Sequence, residues 1–159
     1  MHSRAAELIR TLALRPHPEG GHYGEVFRSS RRVRALDRDV DRAALTTIYF
    51  LLTAGEHSRW HRVRADEAWH WCEGDPLELL RLDDAGLRSV HLGPAAKDTR
   101  PVAVVGADCW QAARTLGEYT LVGCSVAPGF EFEDFSLMAE VPDAAERLRA
   151  MHPEVATLL

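Results

Sequence analysis

A chain of 159 residues, 46% of them apolar, is long enough for one domain with its own hydrophobic core. Its net charge of −5 argues against a nucleic-acid binder, which presents a basic face. Its longest apolar run, residues 48–52, is far too short to cross a bilayer, so no membrane partner is expected.

The first predicted element is a helix over residues 3–14, with Ser3 as its cap and Leu8, Ile9 and Leu12 on one stripe; Pro16 and Pro18 end it. Residues 17–30, HPEGGHYGEVFRSS, hold a Gly-Gly turn or bulge and then a strand over 23–28. Residues 31–43 are charged and aperiodic and predict a loop with solvated arginines. The segment TTIYFLLT, 46–53, is apolar on both faces, as in a strand covered on both sides. Strands over 77–82 and 87–92 flank Asp83-Asp84-Ala85-Gly86, where Gly86 supplies the positive φ of a hairpin turn. Strands over 101–105, 119–126 and 130–139 follow, separated by turns at Gly117 and Pro128-Gly129. A helix over about 143–151 closes the chain: Asp143 caps it, Glu146 completes a capping box, Leu148 and Met151 face the sheet, and Pro153 ends it. Many short strands between two terminal helices predict a single all-β domain, a sandwich or barrel with its core at about residues 20–140.

The three cysteines, Cys72, Cys109 and Cys124, form neither a disulfide framework nor a Cys-x-x-Cys zinc pair. They read as small buried side chains in a reducing compartment. The N-terminal residues scatter charges among apolar ones and do not resemble a signal peptide, which together predicts a cytoplasmic protein.

The stretch richest in chemistry is 60–74, WHRVRADEAWHWCEG. Burial beside Trp69 and Trp71 would raise the carboxyl pKa of Glu67 and suit a general acid or base. His61 or His70, paired with Asp66 or Glu67, would make an oriented base, and Tyr23 or Tyr49 a proton donor opposite. The competing structural readings are an ion pair of Glu67 with Arg62 or Arg64, a core histidine at 70, and tryptophans that serve as core and pocket wall together. Arg28 reads equally as a solvated arginine or an anion clamp, and Phe130, Phe132 and Phe135 as packing.

The spacing of His61, Glu67 and Gly74 matches the first cupin motif, G-x5-H-x-H-x3-4-E-x6-G, with Val63 at the second histidine. Histidines two apart on a strand face one side and can share a metal ion. Against the second motif, G-x5-P-x-G-x2-H-x3-N, Gly106, Asp108 and Gln111 stand where the proline, glycine and last histidine fall. Two of four metal ligands remain, and an amide is an uncommon ligand for metals that favour imidazole. Strict alternation turns His70 away from Glu67, alongside Ala68 and Cys72, unless a bulge intervenes.

HPEGGHYGEVFRS, TTIYFLL, SRWHRVRADEAWHWCEGDPLEL, CWQAA and LVGCSVAPGFEFEDF occur in that order. Over about residues 5–140 the chain therefore resembles the cupin-5, or RmlC-like cupin, family. The resemblance implies a double-stranded β-helix (jelly-roll) barrel, usually a homodimer, and no defined reaction. One departure is the family's V-P-A-G-x-W-Q, which here reads Val105-Gly106-Ala107-Asp108-Cys109-Trp110-Gln111 and alters the turn before Gln111. Carried over by position, the pocket groups are Glu19, Tyr23, Glu25, Arg28, Ser58, His61, Arg62, Glu67, His70, Trp110 and Gln111. The residues themselves add Tyr49 and Trp69.

The expectation is a jelly-roll homodimer that binds a small polar ligand (a sugar, sugar nucleotide or organic acid) in the barrel without a cofactor. His61, Glu67, His70 and Tyr23 are the candidate catalytic groups. Metal-independent epimerisation or isomerisation rests on fold-level analogy with cupin-fold dTDP-sugar epimerases. The alternatives are a metal-dependent dioxygenase or isomerase, with His61, Glu67, His70 and Gln111 around iron, manganese, zinc or nickel, and a non-catalytic binding module.

Overall fold

The computed structural model describes residues 2–159. Helix α1 (Ser3–Thr11) leads into β1 (Arg15–Pro16), β2 (His22–Arg28), β3 (Arg32–Ala35), β4 (Val40–Ala43) and β5 (Thr46–Thr53). Strands β6 (His57–Val63), β7 (Asp66–Gly74), β8 (Leu77–Asp83), β9 (Gly86–Leu92), β10 (Val102–Val105), β11 (Trp110–Thr115) and β12 (Tyr119–Ala127) follow. Two 3-10 turns bracket the short β13 (Phe135–Leu137), and α2 (Pro142–Met151) precedes a last 3-10 turn.

The strands form a six-stranded sheet, β1-β2-β5-β12-β7-β10, facing a five-stranded sheet, β13-β6-β11-β8-β9, with β3-β4 as a separate hairpin. All the pairings within these sheets are antiparallel. Phe50, Leu52, Trp69, Leu77, Leu79, Leu92 and Val122 fill the space between the two large sheets. This is the sandwich or barrel that the many short strands predict, and in particular the jelly-roll barrel that the family resemblance implies.

The outer faces are covered as well. Helix α1 lays Ala5 and Leu8 on Leu51 and Leu121 of the six-stranded sheet. Helix α2 and the C-terminal turn lay Ala145, Leu148, Val155 and Leu158 on Trp60, Leu80 and Ala112 of the other. The Trp60 indole N–H donates to the Val155 carbonyl at 3.0 Å. Adjacent residues Trp60 and His61 are therefore both buried, one under the helix and one inside the barrel. Among the described residues no helix is long and apolar enough to cross a membrane.

Several local expectations are corrected. Helix α1 stops at Thr11, and its cap is His2, whose Nδ1 accepts from the Arg4 N–H at 3.3 Å, in place of Ser3. Residues 31–43 form the β3-β4 hairpin instead of a loop. Its anchor is long-range: Arg42 donates to both oxygens of Asp134, at 2.8 and 3.1 Å. Residues 130–139 do not make one strand, because 3-10 turns flank Phe135–Leu137. Helix α2 has no side-chain cap; Pro142 opens it, so Asp143 falls inside the first turn, where it meets the helix dipole. Leu148 is buried but Met151 is 65% exposed. Cys72 lies on the surface and only Cys124 is fully buried.

Candidate active site

A cavity of about 180 Å³ opens between the sheets at one end of the barrel. Side chains alternate across a strand, so β7 sends Glu67 and Trp69 inward and β6 sends His61 and Val63. The β1-β2 loop supplies His17 and Glu19. It can press this close because of Gly20, which has φ +111; a Cβ there would stand 2.2 Å from the His57 carbonyl oxygen. The Glu19 carbonyl accepts from the Arg59 N–H at 2.8 Å, which ties the loop to β6. A register shift between Glu25 and Phe27 in β2 brings Arg28 to the side of Glu25 at the cavity mouth.

Hydrogen bonds fix the floor. The Gln111 amide N–H donates to Glu67 Oε2 at 2.6 Å, and its carbonyl accepts from the Trp69 indole at 3.0 Å. Burial pushes Glu67 up to about 7; the facing His61 lowers it, and neighbouring Glu19 adds to the rise. Burial pushes Glu19 up to about 8 against the Ser58 hydroxyl, which donates to its Oε1 at 2.7 Å. Glu19 Oε2 lies 3.3 Å from His61 Nε2.

The His61 Nδ1 is 2.7 Å from the Arg59 carbonyl oxygen, which can only accept, so Nδ1 carries the hydrogen and Nε2 is bare. Burial lowers the His61 pKa and holds the ring neutral. His17 has the opposite arrangement. Its Nδ1 accepts from the Glu19 backbone N–H at 3.2 Å, and burial, with the nearby His61 second, lowers it to about 4. His17 and Glu19, 3.5 Å apart, are thus not an ion pair at neutral pH: the ring is neutral and the carboxyl mostly protonated. At the mouth, Arg28 binds Glu25 at 3.0 Å and Glu131 at 2.7 Å, and Arg15 lies 5.0 Å from the centre of the Tyr23 ring.

Seven of the sequence candidates line this cavity: Glu19, Tyr23, Glu25, Arg28, His61, Glu67 and Trp69. Ser58 and Gln111 are buried behind it as hydrogen-bond partners of Glu19 and Glu67. Gln111 points inward despite the altered turn, in which Asp108 adopts φ 62 and donates its N–H to the Val63 carbonyl. Four candidates lie elsewhere. His70 is exposed on the outer face of β7. The bulge needed to turn it inward falls later, where Val122 pairs with Trp71 and Leu121 with Glu73. Tyr49 packs beneath α1, and Trp110 joins the cluster beneath α2 with Arg62 4.6 Å from its ring centre. Glu67 pairs with Gln111, not with Arg62 or Arg64. The residue that sequence reasoning missed is His17, in a loop whose approach to β6 is a tertiary contact without sequence period.

The cupin fold raises the question of a metal. Val63, at the second histidine position, brings no donor atom to the cavity, Gln111 has both amide atoms engaged, and His70 is outside. Among the described residues no three His, Cys, Asp or Glu side chains are arranged to hold an ion. The side chains present do not fit the four-ligand set.

Fold and site together define a cupin barrel with a carboxyl-imidazole interior. The chain belongs to the family described as Cupin superfamily (DUF985), whose pattern matches residues 6–138. It is similar to a hypothetical protein from Leishmania major, at 31% identity and TM-score 0.80 over 97% of this chain and 95% of that one. It is also similar to a protein from Shewanella oneidensis, at 34% identity and TM-score 0.82 over 97% and 93%. An oxalate decarboxylase from Bacillus subtilis, 15% identical with TM-score 0.60 over 91% of this chain and 36% of that one, shares the fold alone. No match was found among curated proteins.

Proposed function

We propose that the barrel binds a small polar ligand and moves protons on it without a metal, as an acid/base isomerase or epimerase. The observation that carries this reading is the pair of buried carboxyls, Glu67 at about 7 and Glu19 at about 8, around a neutral His61. A group that titrates near the working pH is present in both forms, so it can take a proton and return one. The two raised carboxyls can share those roles: Glu67 as base, and Glu19, beside His61 Nε2 at 3.3 Å, as the source of the returning proton. Neither carboxyl has a cationic side chain bonded to it that would hold it ionised. A volume of about 180 Å³ lies below the roughly 300 Å³ at which drug-sized pockets begin. It suits one small ring or a short acid, with any larger part leaving past Arg15 and Arg28.

Deuterium uptake tests the reading. The protein is incubated in D2O with sugars, nucleotide-sugars and organic acids, and carbon-bound deuterium is read by mass spectrometry. Uptake is expected with a member of that panel and is expected to fall by about a hundredfold or more in Glu67→Gln, the range for loss of a general base. Uptake unchanged in that variant would sink the proposal. Uptake lost to a chelator and restored by one divalent ion would return a metal enzyme. Binding that exchanges no hydrogen would leave a non-catalytic module.

A further inference from the structure

We infer that the cavity selects a hydroxycarbonyl compound and that His17 is the donor that holds its carbonyl oxygen. The inference rests on the acid/base reading above and names the substrate class for that site. The argument starts from two imidazoles of opposite polarity in one cavity. A backbone N–H can only donate, so the His17 Nδ1 that receives it from Glu19 is bare, and the hydrogen sits on Nε2. No protein group accepts a hydrogen bond from that Nε2 among the described residues, and the atom is not sealed from the solvent of the cavity. The side chain is only 5% exposed and lines the cavity. It is clamped edge-on by Tyr23 at 4.6 Å between ring centres, and Phe50 and Phe132 lie 5.9 and 6.0 Å away. An N–H held this way has no acceptor from the protein, so cavity water meets it until a ligand oxygen takes that place. His61 is fixed in reverse, with Nε2 bare and turned to Glu19.

The remaining polar groups complete the inventory. Glu67 has one oxygen committed to Gln111. Tyr23 brings a hydroxyl that can donate or accept, and the Glu19 carboxyl can do the same when protonated. A ligand matching this set presents an acceptor oxygen to His17, an acidic hydrogen to Glu67 and a hydroxyl to Tyr23 or Glu19. A carbonyl with a hydroxyl on the neighbouring carbon has all three. Its chemistry balances without any co-reactant. The Glu67 carboxylate takes the proton from the carbon next to the carbonyl, and the C–H electron pair becomes the C=C bond. The carbonyl π electrons move onto oxygen, which is stabilised as an enolate by the His17 Nε2–H. Return of a proton to the opposite face of the same carbon regenerates the carbonyl and gives the epimer; return to the former carbonyl carbon, with the neighbouring hydroxyl passing its proton to the former carbonyl oxygen, gives the shifted carbonyl. Burial keeps His17 neutral, so it donates a hydrogen bond throughout and does not act as an imidazolium.

The test has two arms on the intact protein. Hydrogen–nitrogen correlation spectra of the histidine rings at pH 7 are expected to show His17 protonated on Nε2 and His61 on Nδ1. His17 protonated on Nδ1, or on both nitrogens, would overturn the inference. The second arm compares 1,3-dihydroxyacetone with glycerol, its reduced counterpart. The ketone is expected to bind about tenfold tighter, the worth of one good hydrogen bond, and to shift the His17 Nε2–H resonance. His17→Phe is expected to erase that preference. Equal affinity, no binding of the ketone, or a preference that survives in His17→Phe would each refute the assignment. Should His17→Phe fail to fold, the carbonyl stretch of 13C-labelled dihydroxyacetone bound to the unaltered protein decides: a lowered frequency supports it and an unshifted one refutes it. Deuterium uptake that depends on Glu67 but not on His17 would discard this inference alone. Uptake that depends on neither would discard the acid/base reading with it.

Discussion

The barrel interior and the base of the β3-β4 hairpin both bury acids, with opposite results. Asp134 is 4% exposed beneath the hairpin, and its burial works to raise its pKa. Hydrogen bonds from Arg42, then the charges of Arg38, Arg42 and Arg64, outweigh that and leave it lowered. Glu19 and Glu67, 6% and 7% exposed, are hydrogen-bonded by a hydroxyl, an amide and the Cys124 thiol, with Arg59 acting on Glu19 only through its charge, so burial prevails and both rise. Burial alone therefore does not mark a reactive acid; burial without a bonded cation does. The hairpin acid is a structural anchor, and the barrel acids retain a proton that a ligand can exchange.

The largest effect should come from breaking the hairpin anchor. Arg42→Ala leaves Asp134 buried with Arg38 as its nearest remaining cation, 3.7 Å away. The loss should be about 3 kcal/mol, the lower end for an orphaned partner of a buried ion pair, read by urea unfolding at pH 7. Glu67→Gln should show the reverse at pH 8, with stability equal to or above that of the unaltered protein, because it removes a charge that burial disfavours. A loss of similar size in both variants would erase the distinction between the two regions.

That distinction was only half legible in the sequence. Period-two alternation along β7 put Glu67 and Trp69 on one side and His70 on the other, and the structure keeps that alternation up to a bulge that comes too late to rescue His70. Alternation failed on β6 and β11, where α2 covers the outside: with both faces buried, Trp60 and Trp110 carry no sign of inside or outside. Trp110, a pocket group only by carry-over from the family pattern, packs beneath α2 instead. The β3-β4 hairpin escaped because it is a separate two-stranded sheet that buries only Ala35, Arg42 and Ala43, so no apolar pattern marks it. Its partner, Asp134, lies 92 positions away from Arg42. His17 depends on the same kind of distant contact.

A second effect, on the order of 2 kcal/mol, should appear as a pH dependence. Glu67 and Glu19 rise from the ordinary 4.5 to about 7 and about 8. Their contribution is full below 4.5 and is lost as pH climbs through the folded values. His17, lowered from 6.5 to about 4, acts in the other sense, its contribution being present above 6.5 and lost as pH falls. The two trends oppose each other between 4.5 and 6.5, and above 6.5 only the carboxyls remain. Unfolding free energy should therefore decline from pH 6.5 to about 8, and Glu19→Gln should remove most of the decline. A flat profile over that interval would mean the barrel acids are ionised like Asp134.

The smallest effect belongs to the cavity mouth, where acids have both a cation and water. Glu25 and Glu131 share Arg28 with side chains 42% exposed, so each pair is screened. Glu131→Gln should change unfolding free energy by less than about 1 kcal/mol. Its effect should shrink further in 1 M salt, which screens exposed pairs within a few ångströms but leaves buried groups largely untouched. A larger, salt-resistant loss would place the mouth with the hairpin, as a second structural anchor. A small, salt-sensitive one leaves Arg28 able to exchange its carboxylate partners for an anionic part of a ligand, whereas Arg42 is held to Asp134.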